Sequence, residues 1–125
     1  MAPSLARRSA VAKAQADLRG LYSALATFGA HCGDVPNAAI TVTDVAPLTF
    51  EAGASTCAVA VGGGLAVLGH QVSDTNNVPI GPFYTSGWRL TAPKCWSYTY
   101  TRTGKGQFTA FGTNPRDAAN PITYP

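Results

Sequence analysis

Residues 6–30, ARRSAVAKAQADLRGLYSALATFGA, decide how the rest of the chain is read. Val11, Ala14, Leu18, Leu21, Leu25 and Phe28 recur three and four apart, with Tyr22 beside them. That spacing draws one apolar stripe down a helix. Alanines at 6, 10, 12, 14 and 16 add high intrinsic propensity. Arg8, Lys13, Gln15, Asp17, Arg19, Ser23 and Thr27 form the solvated remainder. Gly20 weakens the middle by about 1 kcal/mol relative to Ala, which the pattern absorbs. Gly29 and Gly33 are expected to stop the helix, and Asp34-Val35-Pro36 bars its continuation. A helix is therefore predicted over residues 6–31.

Its start is unlike a free helix end. Arg7 and Arg8 place two cations at the positive pole of the macrodipole, where carboxylates are favoured. Ser4 can cap, but no Glu or Gln follows three residues on. The pattern is that of a helix continued from upstream, with Met1-Ala2-Pro3 as an added rather than native start.

The totals bound the remainder. With 125 residues the chain has room for one core. Apolar residues make up 46% and charged residues only 12%, against about a quarter in ordinary soluble domains. The net charge of +3 permits an acidic partner without demanding nucleic acid. No apolar run reaches the length of a membrane span. Low charge and Thr- and Gly-rich segments lean towards an oxidising compartment.

Residues 37–112 read as loop and antiparallel sheet. Ile40-Thr41-Val42-Thr43 is a short edge strand, and Leu48-Thr49-Phe50 a second extended piece. Residues 56–61 (TCAVAV) alternate and predict a strand with Cys57, Val59 and Val61 on one face. Gly62-Gly63-Gly64 then turns the chain, and residues 65–68 return as a hairpin or form a helical turn, which period alone does not separate. Residues 69–93 read as loop, with Phe83, Tyr84 and Trp88 as lids on a core. The strongest strand signal is residues 95–102 (CWSYTYTR), with Trp96, Tyr98 and Tyr100 on one face. Gly104-Lys105-Gly106 turns and residues 107–112 return. Residues 113–125 are read as an irregular tail. The fold class is α+β, a long N-terminal helix on a small antiparallel sheet. Leu18, Leu21, Tyr22, Leu25 and Phe28 are expected to pack on Trp96, Tyr98 and Tyr100.

Residues 6–8 (ARR), 12–19 (AKAQADLR), 21–25 (LYSAL), Phe28 and 33–36 (GDVP) resemble the second half of a bacterial type IV pilin helix. Gly81-Pro82-Phe83, residues 96–100 (WSYTY) and Gly106-Gln107-Phe108 resemble the sheet of the same class, pseudopilins included. The resemblance implies a non-enzymatic subunit of a pilus (fimbrium) or related filament. Its partners would be copies of itself or related pilins. Its localisation would be an extracellular filament or the periplasm, anchored in the inner membrane before assembly through a native N-terminal segment absent here. The first alternative is a type II secretion pseudopilin. Against it, Asp117 with Asn114 and Asn120 is a sparse calcium set, and no Asp-Pro-Trp-Gly occurs. Arg7 and Arg8 would flank the membrane span on the exported side, against the positive-inside tendency.

Cys32, Cys57 and Cys95 contain no C-x-x-C. A bridge from Cys32 to Cys57 would tie the helix end to the sheet; Cys57 with Cys95 is the rival, both read on strands. Cys32, Cys57, Cys95, His31 and His70 are the residues from which zinc could be held, but only His31-Cys32 is a short-range pair. His31-Cys32 does not make a nucleophile pair, because adjacent helical residues diverge. Gly62-Gly63-Gly64 lacks the Lys-Ser/Thr of a phosphate loop. No cofactor is expected. Carboxylates are too scattered for paired acid/base chemistry. A DNA-binding minor pilin is a second alternative, with exposed Arg102 and Lys105 as contacts and salt-dependent affinity. Core aromatics beside a basic turn are the plainer reading of that hairpin.

Overall fold

In the computed structural model, residues 5–84, 89–117 and 120–123 are described, the side chains of residues 5–7 and 117 excepted. Trp88 lies outside the described residues, and so does the side chain of Asp117. The helix α1 runs from Leu5 to Cys32. Ala14, Leu18, Leu21, Leu25 and Phe28 are buried, Val11 and Tyr22 half-buried. Gly29 does not end it: the helix continues to Cys32, and Gly33 at φ +77° is the left-handed residue that closes it. Its amide donates to Gly29 O at 2.8 Å.

The main sheet has four antiparallel strands in the order β1, β7, β8, β9. They are β1 (Ala39–Thr43), β7 (Ser97–Gly104), β8 (Gln107–Thr113) and β9 (Ile122–Thr123). As expected, β1 is an edge strand and β7–β8 a hairpin. The tail is less irregular than its prolines suggest, because β9 joins the sheet. Register separates two faces. Val42, Tyr98, Gly112 and Ile122 lie in one row across the sheet, and Ile40, Tyr100 and Ala110 in the next. The opposite face carries Thr41, Thr99, Phe111 and Thr123 in one row, flanked by Thr43, Ser97 and Thr113. One apolar and one hydroxyl-rich face is the alternation of an antiparallel sheet covered on a single side.

Between β1 and β7 the chain builds β2 (Leu48–Thr49), β3 (Ala54–Thr56), α2 (Cys57–Val61), β4 (Gln71–Ser73), β5 (Pro79–Ile80) and β6 (Arg89–Leu90). β2 pairs with β6, and β3, β4 and β5 form a second small sheet in which β3 and β4 run parallel. The strand expected over residues 56–61 is therefore a correction. Thr56 ends β3 and caps α2, its Oγ1 accepting from Val59 N at 3.3 Å. Ala60, not Val59, is the buried residue; Val59 is 68% exposed. Residues 65–69 form a 3₁₀ turn instead of a returning strand. The stretch read as loop, residues 69–93, contains β4, β5 and β6.

Candidate functional site

The surface that matters most here is the seam between α1 and the hairpin, with the cluster at the C-terminal end of α1. Tyr98 and Tyr100 are each 2% exposed and Trp96 6%. Leu18, Leu21, Leu25 and Phe28 share one core with them. Gly112, opposite Tyr98, is where the helix comes close: a β-carbon there would meet the Tyr98 ring at 3.1 Å and Leu18 Cδ1 at 3.4 Å. Tyr22 packs against Phe108 with ring centroids 5.1 Å apart, and Phe108 in turn lies 5.8 Å from Tyr100. All eight expected packing residues are brought to this core or its margin.

Three polar links accompany the apolar seam. Tyr98 donates its hydroxyl to Asp17 Oδ2 at 2.7 Å, and Lys13 Nζ reaches the same oxygen at 2.6 Å. Tyr100 donates to the Pro36 carbonyl at 2.7 Å. Burial pushes both phenols well above their usual range, and for Tyr98 the acceptor Asp17 adds to it. Each phenol thus stays a neutral donor.

The third link was not visible in the sequence. Asp34, read only as part of a helix stop, accepts from Arg102 Nε at 3.1 Å and Nη2 at 2.9 Å. Gly106 N donates to it at 2.7 Å and Val35 N at 2.8 Å. These donors hold its carboxyl far below the ordinary range, Arg102 contributing most. The end of α1 is thereby locked to the tip of the β7–β8 hairpin. Arg102 is accordingly not the exposed cation expected from sequence: its side chain is 25% exposed and engaged in a two-pronged pair. Lys105, on the turn, is exposed.

Cys32 and Cys57 form a disulfide, with Cα atoms 5.3 Å apart. The bridge joins the end of α1 to the start of α2, so neither Cys57 nor Cys95 sits in a strand. Cys95 is free and exposed at φ +69°, in the turn before β7. His31 adjoins the bridge, its Nε2 donating to Val72 O at 3.1 Å. A ring nitrogen of His31 and the two sulfurs lie within 4.8 Å of one another. Of the five residues considered for zinc, these three converge. His70 stands instead 3.3 Å from Glu51 Oε2.

Aromatics on the middle segment close the core from another side. Phe83 meets Phe28 edge-on at 5.3 Å, and Tyr84 stacks on Phe50 at 4.2 Å. Tyr84 also explains Gly20: its hydroxyl lies 3.3 Å from where a β-carbon would stand on the helix. Their expected role as lids matches this placement. Among the described residues no helix is long and apolar enough to cross a membrane. No protein-family model, curated protein or solved structure matches this chain.

Proposed function

We propose that this chain is the globular domain of a type IV pilin-like subunit, a non-enzymatic building block of an extracellular filament. One observation carries the reading: α1 is two-sided over residues 9–30. Its apolar stripe is buried on the sheet, whereas Ser9, Ala12, Ala16, Ser23, Ala26 and Ala30 are exposed on the other side. A helix of 28 residues spans about 42 Å, and the small residues on its exposed side, set among Arg8, Lys13, Gln15 and Arg19, let neighbouring helices approach closely where they lie. The resemblance to pilins within residues 6–36, and at residues 81–83, 96–100 and 106–108, supplies the class, and the hydroxyl-rich outer face of the sheet suits a filament exterior. On this reading the helix continues upstream of Ala6 as an apolar segment that first anchors the subunit in the inner membrane. Copies of the same chain, or related pilins, are its partners.

The test is mass spectrometry of the native N-terminus in a sheared surface-filament fraction. The expected mature chain extends some twenty apolar residues upstream of Ala6, the length of a membrane span. A native chain beginning near Met1, recovered free and absent from filaments, overturns the proposal.

A further inference from the structure

From the convergence of His31, Cys32 and Cys57 we infer a second state of this chain, in which the opened bridge holds one divalent metal ion of the zinc type. Two elements bring the donors together. His31 and Cys32 come from the last turn of α1, and Cys57 is the first residue of α2. All three are half-buried; the bridge itself holds the two sulfurs together, and a ring nitrogen of His31 lies within 4.8 Å of both. Tetrahedral zinc with sulfur at 2.3 Å needs donors about 3.8 Å apart, so the thiolates separate modestly and the imidazole closes in.

The imidazole is set for that task. Its Nε2 is committed to the Val72 carbonyl on β4, so an ion would have to be taken by Nδ1, which carries the lone pair in that tautomer. A ligating histidine with its other nitrogen held by a carbonyl is the usual outer-sphere arrangement of metal sites. Val72 is fully buried, so the acceptor is fixed. Two thiolates and one neutral imidazole suit zinc or another borderline-soft ion, with water in the fourth position.

The chemistry balances as an exchange between two cross-links. An external dithiol reduces the Cys32–Cys57 bond, becoming a disulfide itself and leaving two thiols. Metal binding then releases two protons, one from each thiol, and forms a neutral centre. The ion ties α1 to α2 where the disulfide otherwise does. It also keeps both thiols from pairing wrongly with Cys95, which is exposed.

The experiment uses the full chain carrying Cys95→Ser, reduced with a phosphine under anaerobic conditions and titrated with cobalt(II). Expected are thiolate-to-cobalt charge-transfer bands saturating at one equivalent, displaced by zinc(II), and no bands in the oxidised chain. His31→Ala in the same background should weaken binding at least tenfold. Absence of the bands, or equal affinity in the His31→Ala chain, overturns the inference. Should reduction unfold the chain, circular dichroism decides: zinc that restores the fold and raises Tm supports the site. Cobalt bound without recovery of the fold overturns it.

Discussion

The helix–hairpin half and the middle segment are held together in different ways. In the first, a 28-residue helix lies on a sheet whose hairpin strands are eight and seven residues long. Burial there repeats at the helical period on one side and at period two on the other. In the second, residues 44–92, described up to 84 and from 89, no strand exceeds three residues. Order there comes from single fastenings: the Cys32–Cys57 bridge, the Tyr84–Phe50 stack, the Thr56 cap and the close approach at Gly69. A β-carbon on Gly69 would collide with the Glu51 main chain. One half is stabilised by repetition, the other by particulars. Repetition spreads the effect of a lesion over a shared core, whereas a broken fastening should act locally.

The largest expected effect tests the repetitive half. Tyr98→Ala opens a cavity between Leu18 and Gly112 and removes one of the two donors to Asp17, so it should cost about 3–5 kcal/mol in urea unfolding. The transition should remain single. If hydrogen exchange showed the loss confined to β7, the shared-core account of this half would fail.

Next is the bridge. Cys32→Ser with Cys57→Ser opens a loop with a sequence separation of 25. Chain entropy gives a loss of about 3.5 kcal/mol for a closure of that length. Amide exchange should rise first in residues 54–73 and last in β7–β8. Uniform acceleration would erase the contrast between the two regions.

The Asp34 clamp comes third. Its carboxyl titrates lower in the folded chain than in the unfolded one, so its stabilisation is complete above the unfolded value. It is lost as pH falls below about 4, towards the depressed folded value. Asp34→Ala should cost about 1–2 kcal/mol at neutral pH, after allowance for solvent screening of the pair. It should also flatten the stability profile below pH 4. A variant whose acid profile is unchanged would show that the clamp does not couple helix end to hairpin.

The smallest effect is in the middle segment. Thr56→Ala removes the cap of α2 and should cost about 1 kcal/mol, read as a shift in urea midpoint. A loss as large as that of the bridge would mean that α2 is more than a local fastening.

The same contrast explains what was legible beforehand. The helix stripe and the Tyr98–Tyr100 alternation are long enough for period to identify them, and the structure pairs them as expected. Residues 57–61 are too few: CAVAV alternates as a strand would, yet a Thr cap and a glycine stop make it one helical turn. The strand reading gave weight to β-branched Val59 and Val61, but Val59 faces outwards. The β9 pairing was hidden because two residues carry no period. Among the polar features, the choice of Cys32 with Cys57 was favoured from sequence. The Asp34–Arg102 pair was not, because 68 residues separate its members and only the fold brings them together. The proximity of His31 to Cys57 has the same origin: it depends on how α2 docks against the end of α1.

The bridge also redistributes mechanical load. A pull applied between the two ends of the chain passes down α1 to Cys32 and crosses directly to Cys57. The 24 residues between them, β1 included, lie inside the closed loop and bear no tension, since the separation of 25 leaves that number enclosed. Fully stretched, they would otherwise add about 80 Å of extension, at about 3.4 Å per residue. Stretched in its oxidised form, the chain keeps that length in reserve, and reduction releases it.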